Sequence, residues 1–466
     1  MLVGAEQSPV LPDVTTGPDW VDEMLLAGTG GEVCLRLPDG VVVARGTLRE
    51  LVAERQRRLA EAGLRPGGAV ALRLPPSLAY IVNLLATWRS GGQAILLDHR
   101  LTDHEVGNAL ARLTPQVVVA PGRRAAGGLR IFHDVSETVT GYSDGPAISH
   151  HSVIQLSSGS TGPSKVIGRT AADLSAEIHR YTQMDGVPEP GERIILLPSM
   201  VHVLGLVGGL LYGLHTGVEL HPPARLTGDA ILAAVAETDT PATVLGVPFH
   251  IGLLASVVDP PRLPQLKRMT TGGELVPAAV STRFEDAYQV PLGNMYGMTE
   301  VGVIGTDLFG RHRPSIMPAP GLHVRERDGE LWVSCPESPY VGLSDPTRWA
   351  DGWLHTRDAG VVDPVTGLVT IKGRLDSQVS VGGLKVDLTE VEQAIAALPG
   401  VDAVVVGYDD GITAFVQGSP DGLDDALAER LASYKWPRTV HTLDQLPRTT
   451  TGKLVRDLEV LRAAVS

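Results

Sequence analysis

Across the first third of the chain, short aliphatic runs alternate with amphipathic ones, and this alternation leaves few options for the fold. Thr47–Ala62 ("TLRELVAERQRRLAEA") spaces its apolar side chains as a helix does and ends in a break rich in glycine and proline. "AVALRLPPS" then reads as a buried strand, and "LAYIVNLLATWRSG" as a helix closed by Gly91. "GGQAILLDHRLT" is a further strand, Thr102 is a candidate cap for "DHEVGNALARL", and "PQVVVA" follows as a strand. The pattern predicts α/β layers around a largely parallel sheet.

At 466 residues the chain exceeds one ordinary core, so two or more domains are expected. The stretch from residue 376 to 466 reads as a separate α+β unit. There Asp387 and Glu390 are placed to form a capping box for "LTEVEQAIAALPG". "DAVVVGYDDGITAFVQG" reads as a hairpin around Asp-Asp-Gly, and "GLDDALAERLASYKWP" as a second helix. The boundary is expected near Asp376, just after a Gly-Arg pair.

A net charge of −14 argues against nucleic-acid partners and anionic membrane surfaces. Cys34 and Cys335, far apart, suggest neither a disulfide framework nor a cysteine metal cluster, which fits a cytoplasmic protein. The first residues lack the basic and apolar regions of a signal peptide. The apolar run Val203–Leu214 is too short to span a bilayer and reads as a buried helix, so no membrane insertion is expected.

The segment "LSSGSTGPSKVIGRT" carries the strongest chemical signal. Its small and hydroxylated residues let backbone N–H groups and hydroxyls approach phosphate oxygens, and Lys165 adds a point charge. It is not a Walker A loop, because Val166 stands where a magnesium-holding Ser or Thr would be. It resembles the phosphate-binding loop of the adenylate-forming superfamily of acyl-CoA synthetases, nonribosomal adenylation domains and luciferases, with matches at Ser158, Gly159, Ser160, Thr161, Gly162 and Lys165. Ser164 and Val166 depart from that family's usual Pro and Gly.

Further blocks follow in the family's order. The resemblance of "GNMYGMTEVG" implies Tyr296 against adenine, Thr299 on the α-phosphate and Glu300 on Mg2+, with Gly297 beside the acyl group. A carboxylate suits magnesium, which prefers hard oxygen donors. "TTGGELVP" implies Gly272, Gly273 and Glu274 lining the adenine and acyl sites, and Ser157 joins the ATP contacts. "DGWLHTRDAGVVD" implies Asp358 on the ribose hydroxyls, with Arg357 where the family has Gly. "GRLDSQVSVGGLKV" implies Arg374 on ribose or phosphate, a hinge at Asp376, and Gly382 and Gly383 beside the thiol's pantetheine arm. "LPRTTTGKLVRD" implies Lys453 bridging the substrate carboxylate and the α-phosphate.

The resemblance therefore implies a large domain over 1–375 of layered α/β subdomains, which binds ATP and the acid, and a small mobile α+β lid over 376–466. It implies ATP- and Mg2+-dependent conversion of a carboxylic acid to its acyl-AMP, then transfer to the thiol of CoA or of a carrier-protein phosphopantetheine. His202 is a candidate pocket residue, with a packed core histidine as the competing reading, and Phe249 a candidate wall. No acidic residue stands where amino-acid-activating relatives hold the α-ammonium group, which favours an aryl or short acyl acid. Luciferase-type oxidation, activation of nitrite, and a non-catalytic nucleotide-binding module remain alternatives.

Overall fold

The computed structural model describes residues 19–122, 132–157, 165–273, 276, 278–375, 377–419, 422–447 and 454–465. The alternation of the first third folds as expected. Four mutually parallel strands, ordered Val117–Pro121, Ala69–Leu72, Gln93–Leu96 and Val153–Ser157, carry antiparallel edges at Glu137–Gly141 and Lys165–Arg169. Every residue of Ala69–Leu72 and Gln93–Leu96 is buried, as befits strands covered on both faces. Ser77 caps the helix Leu78–Arg89, and Thr102 with Glu105 completes a reciprocal capping box on Asp103–Leu113. The run after Val203 is indeed a buried helix, wound as a π-helix over Leu204–Leu211 and continuing to Thr216.

A second sheet of fourteen strands changes character partway across. From Val33–Arg36 through Glu219–His221, Arg193–Leu196, Ala242–Gly246 and Leu266–Gly272 to Leu292–Met298, neighbours are parallel. Beyond Leu292–Met298 they are antiparallel, through Gly302–Asp307, Ser315–Pro318, Val369–Arg374 and Trp353–Val362. The strand bearing Tyr296 is parallel to one neighbour and antiparallel to the other.

After Arg374 the chain forms smaller sheets: the hairpin Gln378–Val381/Leu384–Asp387, and Val401–Tyr408, Ile412–Gly418 and Thr439–Leu443. Val386, Val391, Ile395, Val404 and Ala414 give this part its own core, so the large and small α/β units read from the sequence are both present. Two local expectations are corrected. Asp387 caps the helix Leu388–Ala396 through Thr389, but Glu390 does not return the bond; its Oε1 accepts from Lys435 at 2.8 Å. The next helix stops at Arg430: Leu431 is extended and, with Ala432, buried, which turns the chain into the core before a short 3-10 turn at Ser433–Lys435. Among the described residues no helix is long and apolar enough to cross a membrane.

Candidate active site

Tyr296, Asp358 and Arg374 come together from three strands. Tyr296 donates its hydroxyl proton to Asp358 Oδ2 at 2.6 Å, and Arg374 Nη1 lies 3.0 Å from Asp358 Oδ1. Asp358 and Arg374 face each other in register across the strand pair. Burial pushes the Asp358 carboxyl up, while the Arg374 guanidinium and the Tyr296 hydroxyl favour its charged form. Burial, followed by the Asp358 charge, raises the Tyr296 phenol well above its ordinary range, so it remains a donor at neutral pH. Arg357 adopts φ 61°, a conformation that favours glycine, and holds it by donating from its backbone N to Glu330 and from Nη2 to the Thr347 carbonyl. The aspartate beside it keeps its place in the sheet.

Thr299 and Glu300 sit in the turn joining the Leu292–Met298 and Gly302–Asp307 strands. Glu300 Oε1 accepts from the Tyr340 hydroxyl at 3.1 Å. Burial raises the Glu300 carboxyl, and the Lys165 charge is among the influences pulling it back. No group of three or more metal-binding side chains exists among the described residues. A single carboxylate within the influence of Lys165 is a hard oxygen donor of the kind magnesium would take. Gly297 is packed so closely that a Cβ there would lie 2.6 Å from the Gly302 carbonyl oxygen.

Sequence reasoning missed the supports of this turn. Arg169, on the Lys165–Arg169 strand, pairs at 2.6 Å with Glu177, which is fully buried. Glu177 accepts from the Val303 backbone at 2.9 Å, and Arg180 donates to the Val301 carbonyl at 3.2 Å. Tyr340 bridges to Ile167 of the same strand. Lys165 begins this strand, opposite Ser157. In the sequence Glu177 and Arg180 look like the solvated face of a helix, and only tertiary packing turns that face inward. Glu177→Ala is expected to destabilise the fold by about 3–5 kcal/mol, since it strands Arg169 as a buried charge. Chemical denaturation measures this, and an unchanged midpoint would refute it.

His202 stands on a loop tied down by Tyr80, which donates to the Met200 carbonyl at 2.9 Å, and by Gln155, which donates to Val201 at 2.5 Å. Its side chain is 40% exposed, yet Nε2 is shielded from solvent and has no hydrogen-bond partner. That nitrogen lies 3.8 Å from Asp98 Oδ2. Burial opposes protonation of the ring and lowers its pKa. Burial also acts against the Asp98 charge, but Arg100, bonded at 2.8 and 2.6 Å, holds the carboxyl well below the usual range. Phe249 is 48% exposed on the first turn of the Pro248–Ala255 helix, with His250 as its buried neighbour.

Gly272 ends the Leu266–Gly272 strand, and the carbonyl of Gly273, the next residue, accepts from Lys385 Nζ at 2.7 Å. Gly382 and Gly383 form the tip of the hairpin that carries Lys385. Ser158, Gly159, Ser160, Thr161, Glu274, Asp376 and Lys453 lie outside the described residues.

The family described as "AMP-binding enzyme" matches residues 39–333, and its C-terminal domain matches 390–453. A Mycobacterium tuberculosis 3-[(3aS,4S,7aS)-7a-methyl-1,5-dioxo-octahydro-1H-inden-4-yl]propanoyl:CoA ligase is 30% identical, covering 87% of this chain and 91% of that protein. A feruloyl-CoA synthase from Amycolatopsis sp is 28% identical, covering 90% of this chain and 95% of that protein. The solved o-succinylbenzoate CoA synthetase of Bacillus subtilis shares the fold at a TM-score of 0.79 and 21% identity, covering 94% of this chain and 98% of that one.

Proposed function

The chain belongs to the AMP-binding enzyme family, and from that membership we propose that it is an ATP-dependent acid–thiol ligase. It activates a carboxylic acid as the acyl-AMP, releases pyrophosphate, and passes the acyl group to the thiol of CoA. The observation that carries the reading is the hydrogen-bonded trio Tyr296, Asp358 and Arg374. An ionised carboxylate has about four lone-pair sites, so Asp358 can hold Tyr296 and Arg374 and still accept from both ribose hydroxyls.

In this reading Tyr296 lies against adenine, with Gly272, Gly273 and Glu274 completing that wall. Lys165, with the Ser157–Thr161 loop, and Thr299 take the phosphates. Glu300 is the protein's ligand to magnesium, which supplies charge neutralisation on the phosphate oxygens when bound. Lys453 bridges the incoming carboxylate and the α-phosphate, where positive charge stabilises the attack most. Afterwards the small domain, hinged at Asp376, turns to bring Gly382 and Gly383 to the thiol. Contact of that hairpin's Lys385 with Gly273 supports assigning the present arrangement to the thiol step.

The acid is aryl or short acyl. The products named for the two curated relatives, a feruloyl thioester and a bicyclic propanoyl one, carry no α-amino group, which supports this choice and favours CoA over a carrier protein. Acid-dependent ATP–pyrophosphate exchange across aryl, short acyl and amino acids tests the reading, followed by mass spectrometry with CoA. Exchange with amino acids alone would overturn the substrate class. Lys453→Ala is expected to abolish exchange while sparing thioester formation from synthetic acyl-AMP, and equal loss of both would refute its role.

A further inference from the structure

Lys435 is placed where no surface lysine would be. Its side chain is 8% exposed, and Nζ lies 2.7 Å from Glu105 Oε1 and 2.8 Å from Glu390 Oε1. Glu390 belongs to the small domain, whereas Glu105 is in the first turn of the large domain's Asp103–Leu113 helix. The neighbouring Tyr434 receives the Arg100 guanidinium over its ring at 5.5 Å. The same seating brings Lys385 onto Gly273 and Gly383 so close to Val247 that a Cβ there would meet its side chain at 2.8 Å.

The two carboxylates have different standing. Glu105 is fixed within its own domain, because Oε2 accepts from Thr102 N at 2.8 Å and Oγ1 at 3.0 Å. The large domain thus presents Oε1 wherever the small domain is. Glu390 travels with Lys435 and accompanies its charge in every pose. A desolvated ionic triad adds little net stability, but losing one partner is costly, so its main effect is to specify geometry.

We infer that Lys435 is a positioning residue for the thiol step: it docks on Glu105 to hold the small domain where the Gly382–Gly383 hairpin lies against Val247 and Gly273. The inference rests on the ligase reading above. Glu105→Gln tests it, since glutamine keeps the size and the capping oxygen but removes the charge. Thioester formation from synthetic acyl-AMP and CoA is expected to fall about ten-fold, while pyrophosphate exchange stays within about two-fold of the parent. Lys435→Met is expected to give the same split, and the double variant to be no worse than the poorer single one. Both half-reactions falling together, neither falling, or additive losses in the double variant would overturn the inference. Failure of the ligase reading looks different: the unsubstituted chain would then show no exchange with any acid, and the inference would fall with it.

Discussion

Glu300→Gln is expected to lower acid-dependent pyrophosphate exchange by about a hundred-fold or more, or roughly 2.7 kcal/mol of transition-state stabilisation. Glutamine retains the shape and an oxygen able to accept from Tyr340, which now donates to Glu300 at 3.1 Å. The substitution therefore tests the negative charge with little disturbance to the turn. The magnesium concentration needed for half-maximal exchange should rise in parallel, because a neutral amide is a poorer ligand for a hard cation. Parent-like exchange at the parent's metal requirement would remove Glu300 from the metal site. A matching loss of thermal stability would instead point to a packing role.

Gly383→Val is expected to slow thioester formation from acyl-AMP by about a hundred-fold and to spare exchange. Gly383 has φ +84°, and a Cβ there would sit 2.8 Å from Val247 Cγ2. A β-branched residue in that conformation is strained whatever surrounds it, and here it also drives the hairpin off the large domain. Gly382→Ala is the control, because Gly382 also has positive φ, at +57°, but open space where its Cβ would lie. Equal effects of the two would mean that the turn matters and the close approach does not.

Much of the fold was legible because its signals are local. The Thr102 cap, the buried runs at 69–72 and 93–96, and the hairpin around Asp409–Gly411 depend on neighbours a few residues away. A cap with an acid three positions later misled at Asp387, where Glu390 does not return the bond and its Oε1 meets the distant Lys435. Arg357 reads as a departure from a glycine, and the structure shows how two hydrogen bonds hold it in the left-handed conformation.

For the site, the ordered motifs singled out Tyr296, Glu300, Asp358 and Arg374, since chemistry of this kind demands particular side chains in a particular sequence. They left invisible the side chains that hold those groups in place. Glu177, Arg169, Tyr340 and Lys435 sit in segments whose local pattern suits a solvated charge or an ordinary strand end. Their roles arise from contacts over long separations, such as Glu177 with Val303 and Lys435 with Glu105. Alone, the sequence determined the layered α/β architecture, which is written in short-range spacing, and carried the ordered motifs whose resemblance implied the family's chemistry. Tertiary structure decided which charges are buried, what they hold and where the small domain rests, because a carboxylate's partner is set by folding and not by its neighbours in the chain.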